Sequence, residues 1–258
     1  MGKKMKLTES NLKSIYGTIT NIQDECVSSE LCWQGIDKYK THQPQTPYFP
    51  YIGKKYKGIL FCGINLNGGF ENLRVIHELV KEAVNDYLRN HRYKIFKSET
   101  YGGSPFYYYV PLLSFLYQQL YYEGISYNNE EEITWDQIIE GFEFCGLTNL
   151  IKCCINSPNN RSQPSDEMFK NCIPKLIKEL DHISYKVIFT FSYKKYPNLV
   201  ELYFKDYKTV IQKNQFRILN NQKQWIVEVG HPLSMITRQE KFRYYNEAIH
   251  YLVKYIRT

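Results

Sequence analysis

Four short apolar runs constrain this chain more than any other feature. Residues 58–63, 147–153, 186–192 and 225–230 are each too brief for a stable helix and largely apolar without alternation. Such runs belong to strands covered on both faces, so helices must pack on either side of the sheet they form. Helical patterns fall between them. Residues 73–88 carry Val75, Ile76, Leu79, Val80, Ala83 and Leu88 at helical spacing. Residues 110–122 follow the Gly102-Gly-Ser-Pro-Phe106 loop, and a short helix is expected near 197–204. Alternating strands and helices predict a single α/β domain over 1–258. Its architecture is a three-layer α/β/α sandwich around a central, mostly parallel four-stranded sheet.

The helix ends can also be read locally. A first helix is expected over 8–24, capped by Thr8 or Ser10. Ser165 suits an N-cap, with Asp166 and Glu167 placed to favour the positive end of the following helix. That helix keeps Met168, Phe169, Cys172, Ile173, Leu176, Ile177 and Leu180 on one face, and Pro174 should kink it. The last helix, over 238–256, repeats Tyr245, Ala248, Ile249, Leu252, Val253 and Ile256. In open α/β sheets ligands sit beyond the carboxyl ends of the strands. The turns after Gly63 and after Gly230 fall there, which makes them the candidate site.

Charge and cysteine content narrow the function. Thirty-three Lys and Arg stand against 26 Asp and Glu, a net charge of +7. A basic excess invites a polyanionic partner, nucleic acid first. Richness in Lys, Asn, Ile and Tyr, as in translations of AT-rich DNA, is the other source of such a balance. No apolar run is long enough to cross a bilayer, and the basic start has no apolar segment behind it. A cytoplasmic monomer with no obligate protein partner and no membrane association is expected. The seven cysteines, at 26, 32, 62, 145, 153, 154 and 172, include no CxxC pair. That spacing argues against a zinc ribbon and leaves buried thiols or another metal site.

Four segments, read in order, resemble the uracil-DNA glycosylase superfamily, and most closely its iron–sulfur, family 4-like branch. Gly63-Ile-Asn-Leu-Asn67 is similar to the first active-site motif. Ser104-Pro-Phe106 resembles the segment whose Phe stacks on an extruded base. Thr148-Asn-Leu-Ile-Lys-Cys-Cys154 with Pro158-Asn-Asn-Arg161, Pro164, Glu167 and Cys172 is similar to the block that follows. His231-Pro-Leu-Ser234 resembles the second active-site motif.

The resemblance implies a DNA glycosylase that hydrolyses the N-glycosidic bond of uracil or a modified pyrimidine, leaving an abasic site. Routine repair and defence against phage DNA with modified bases are both settings it allows. A non-catalytic nucleic-acid-binding module on the same fold is the alternative. Such an enzyme must take the base out of the stack. Phe106 then offers a stacking surface, and the Asn149 amide offers a donor and an acceptor to a pyrimidine edge. A backbone-capping role is the other reading of Asn149. His231 would donate to the base oxygen as negative charge develops there. Asn65 would hold the attacking water, with Asn67 as the alternative holder.

Gly63, Ile64, Asn67, Phe106, Asn149 and Ser234 are the implied substrate contacts, and Arg161, Pro232 and Arg238 the implied DNA contacts. Cys26, Cys32, Cys154 and Cys172 match the order of ligands to a [4Fe–4S] cluster, with Cys153 able to replace Cys154. Ordinary buried thiols are the other reading of these cysteines. The chain also departs from the pattern. Asn65 stands where cluster-bearing members usually carry an acid, and Leu66 replaces the motif's proline. Five residues, rather than two, separate Cys26 from Cys32. An inserted helical segment at about 70–100, with Arg89, His91, Arg92, Lys94 and Lys97, separates Gly63 from Pro105. Such an insertion would lie near the pocket mouth and reshape the base pocket.

Overall fold

The computed structural model describes residues 50–63, 105–151, 156–157, 160–161, 165–193, 204–231 and 237–258. In chain order the strands are β1 (Tyr51–Ile52), β2 (Ile59–Gly63), β3 (Cys145–Asn149), β4 (Asn156–Ser157), β5 (Asn160–Arg161), β6 (Val187–Thr190), β7 (Lys208–Gln212), β8 (Phe216–Asn220) and β9 (Trp225–Val229). Four α-helices occur among the described residues: α1 (Pro105–Gln118), α2 (Trp135–Phe144), α3 (Asp166–His182) and α4 (Arg238–Arg257). The helices expected over 8–24, 73–88 and 197–204 lie wholly or almost wholly outside the described residues, as does the insertion at 70–100.

The chain is α/β, and its main sheet has seven strands in the order β1-β3-β2-β6-β9-β8-β7. This arrangement is compatible with the three-layer sandwich. It corrects the expected four strands: the sheet is wider and mixed. The apolar runs make its centre, where every residue of β2, β3 and β6 is buried. The Gly58 carbonyl accepts from the N–H groups of Lys186 at 2.8 Å and Val187 at 3.1 Å, so neighbours β2 and β6 start at the same end. Parallel pairing continues from β6 to β9, with Val187 opposite Trp225 and Thr190 opposite Glu228.

Beyond β9 the pairing turns antiparallel through β8 and β7. β7 is a mostly exposed edge strand, Lys-Thr-Val-Ile-Gln, with a register irregularity between Thr209 and Ile211. A polar, irregular edge resists pairing with another chain, and the same polarity hides it from a search for apolar runs.

Contacts divide the described residues into two compact units. The first holds 50–51, 62–63, 147–151, 156–157, 160–161 and 165–185; the second holds the rest. In the first, the Ser165 hydroxyl caps α3 by accepting from the Met168 N–H at 3.2 Å, as the sequence predicts. Its buried face is Met168, Phe169, Cys172, Ile173, Leu176 and Leu180, with the exposed Pro174 inside the helix.

In the second unit, α1 starts at Pro105, five residues before the expected position. Proline suits a first helical position because its missing N–H would have had no intrahelical partner. At its other end α1 widens into a π-turn over Gln119–Glu123, which Gly124 ends at φ 72°. α2 was not expected, although Thr134-Trp-Asp-Gln137 forms a reciprocal capping box. It packs against α1 at Gly141, where a Cβ would collide with the Pro111 carbonyl oxygen. Only glycine permits that approach.

Several tyrosines belong to this unit's core. Tyr109 meets Tyr245 edge-on at 5.3 Å, and Tyr245 meets Tyr244 at 4.5 Å. Burial holds the phenols of Tyr108, Tyr109, Tyr117 and Tyr245 well above their ordinary range. A raised folded-state value favours the neutral form, so this stabilisation is complete below the unfolded value of about 10 and is lost as pH rises beyond it. The melting temperature should therefore fall steeply above about pH 10, with tyrosinate absorbance appearing together with unfolding. Ionisation of these phenols in a chain that stays folded would contradict this account.

Candidate functional site

Asn149 is the last residue of β3 and is 7% exposed. The Leu150 N–H donates to the Gly63 carbonyl at 2.8 Å, so the carboxyl ends of β3 and β2 lie side by side in the first unit. Two implied substrate contacts are thereby brought together. The preceding residue is tied down from α3: the Thr148 hydroxyl donates to Glu179 Oε1 at 2.6 Å, and both residues are buried. A bond to a carboxylate in a low-dielectric surrounding limits how far the end of β3 can shift. Sequence reasoning missed Glu179. Its signal was an acid on the same helix face as Leu176 and Leu180.

The Asn-Arg segment forms a two-stranded hairpin, with Asn156 opposite Arg161 and Ser157 opposite Asn160. Cys172 is buried on α3. Cys26, Cys32 and Cys154 lie outside the described residues, as does Cys153. No group of three or more His, Cys, Asp and Glu suited to a metal occurs among the described residues. Cys62 and Cys145 are wholly buried, and burial pushes the Cys145 thiol up. These two behave as core residues.

The second unit carries His231, half-buried, two residues past the end of β9. Three bonds from separate elements fix the backbone leading to it. The Tyr193 N–H donates to the Val229 carbonyl at 3.2 Å, and the Gly230 N–H donates to the Gln215 carbonyl at 3.2 Å. From α4, the Tyr245 hydroxyl donates to the Gly230 carbonyl at 2.9 Å. Further back in β9, Glu228 is 1% exposed, takes an ion pair from Arg217 and accepts from the Ser192 hydroxyl at 3.5 Å. The Ser192 and Thr190 hydroxyls are 2.9 Å apart. This strand end is therefore polar inside and held on several sides, which suits a donor that must meet a developing charge without moving.

The same unit holds the start of α1 and the start of α4. Phe106 is the second residue of α1, and Arg238 the first of α4. Arg238 Nε donates to Glu130 Oε2 at 2.6 Å, and its guanidinium lies 5.9 Å from the centre of the Tyr108 ring. Ile64, Asn65, Asn67, Pro232 and Ser234 lie outside the described residues, while Phe106 and Arg161 are described in backbone only.

The model of one family, the Uracil DNA glycosylase superfamily, matches residues 98–253, more than half of the chain. The chain belongs to this superfamily. No curated protein matches it. The superfamily consists in general of DNA glycosylases, which act on DNA. The matched span contains Phe106, Asn149, Arg161, His231, Ser234 and Arg238, and begins after Gly63-Ile-Asn-Leu-Asn67. No helix among the described residues is long and apolar enough to cross a membrane.

Proposed function

We propose that the chain is a DNA glycosylase that hydrolyses the N-glycosidic bond of uracil or a modified pyrimidine flipped out of DNA, leaving an abasic site. The observation that carries this reading is the superfamily match together with His231, which follows a buried strand whose end is fixed from α4. The net charge of +7 supports a nucleic-acid partner.

On this reading the flipped base stacks on Phe106, and the Asn149 amide pairs with its edge. As the glycosidic bond lengthens, the sugar gains oxocarbenium character and the base gains negative charge. His231 donates a hydrogen bond to the base oxygen and stabilises that charge. Asn65 holds the water that attacks the sugar carbon; an amide suffices because a dissociative reaction needs a placed water more than a strong base. Divergence in the first motif supports a substrate other than plain uracil, with modified pyrimidines of phage DNA as one class. The test is detection of free base released from DNA. A chain that binds DNA and releases none on any substrate is a binding module instead.

A further inference from the structure

Glu130 lies in none of the motif segments, yet its two partners each stand a few residues beyond one of them. It opens a short 3-10 turn, Glu130–Glu132, and its side chain is 8% exposed. One carboxylate oxygen accepts from the Tyr108 hydroxyl and the other from Arg238 Nε. Tyr108 is two residues beyond Phe106 in the first turn of α1. Arg238 follows the His231-Pro-Leu-Ser234 segment at the start of α4. A single acid thus ties α1, which holds Phe106 in its first turn, to α4, which follows the His231-Pro-Leu-Ser234 segment.

The grip has a consequence for Arg238. An exposed arginine loses considerable rotamer freedom when it engages a phosphate. Here Nε is already bonded to a largely buried carboxylate and the plane lies near an aromatic ring, while 41% of the Arg238 side chain stays exposed. Part of that ordering is complete before any ligand arrives. Lysine has no Nε–H fork and could not be held this way.

We propose that Glu130 is a positioning residue for DNA: it pre-orders Arg238 for contact with a backbone phosphate. The inference rests on the glycosylase reading and adds to it a residue outside the four motif segments.

Binding of a fluorescent uracil-containing duplex, measured by anisotropy between 50 and 200 mM salt, tests it. Arg238→Gln should weaken binding several-fold and lower the slope of log affinity against log salt by about 1. Glu130→Gln removes a negative charge, which by Coulomb attraction alone would tighten binding to a polyanion. Pre-ordering predicts the opposite sign: about three- to tenfold weaker binding, with the Glu130→Gln/Arg238→Gln pair no weaker than Arg238→Gln alone. Arg238→Lys, an exposed change that keeps the charge, should weaken binding to a similar degree.

Wild-type affinity in Arg238→Lys, or equal or tighter binding in a folded Glu130→Gln, overturns the inference alone. Failure of the wild-type chain to bind the duplex overturns the glycosylase reading as well.

Discussion

Replacement of His231 by alanine should slow base release by about two to three orders of magnitude and change duplex affinity by less than about threefold. On the proposed mechanism the expected split follows from when the histidine acts. A hydrogen bond to the base oxygen strengthens as the glycosidic bond breaks, so its loss is felt in the transition state far more than in the ground state. Single-turnover release measured beside anisotropy separates the two. His231→Gln, which retains a donor, should recover part of the rate. A His231→Ala variant with wild-type turnover would remove the histidine from the mechanism.

The second large effect concerns stability. Arg217 and Glu228 face each other on the antiparallel pair β8–β9, and their side chains are 10% and 1% exposed. Arg217→Met deprives a buried carboxylate of its cation, which in comparable pairs costs about 3–5 kcal/mol. The melting temperature should fall by roughly 10 °C. Removing both charges, in Arg217→Met/Glu228→Leu, should restore most of the loss, because the penalty comes from the stranded carboxylate. A double variant as unstable as the single would show instead that the Ser192–Glu228 polar cluster is needed for folding.

The central strands were legible because burial on both faces leaves an unbroken apolar run, as in Ile59–Gly63 and Val187–Thr190. The faces of α3 and α4 were legible through helical spacing and, for α3, through Ser165. β7 and β8 were not, since an edge strand such as Lys208–Gln212 is polar and its neighbour carries Arg217 in the interior. α2 went unread although its sequence carries two local marks: Trp135, Ile138, Ile139 and Phe142 stand at helical spacing, and Thr134 and Gln137 form its capping box.

The site divides in the same way. The candidates Gly63, Asn149 and His231 stand out in the sequence because each ends or follows a buried strand. The groups that hold such ends in place do not. Thr148 and Glu179 are 31 positions apart, and Gly230 and Tyr245 are 15 apart on different elements. Glu130 meets one partner 22 positions before it and another more than a hundred after it. No local pattern encodes pairings of that kind; only the fold creates them.

The reaction proposed for this chain is cleavage of the bond between a pyrimidine and its sugar in DNA. Mass spectrometry of the small-molecule fraction, after incubation with duplexes carrying uracil or a panel of modified pyrimidines, tests it most directly. One free base is expected, accumulating with an equal number of abasic sites and released far more slowly when His231 is alanine. Bound, intact DNA with no free base from any duplex would contradict it.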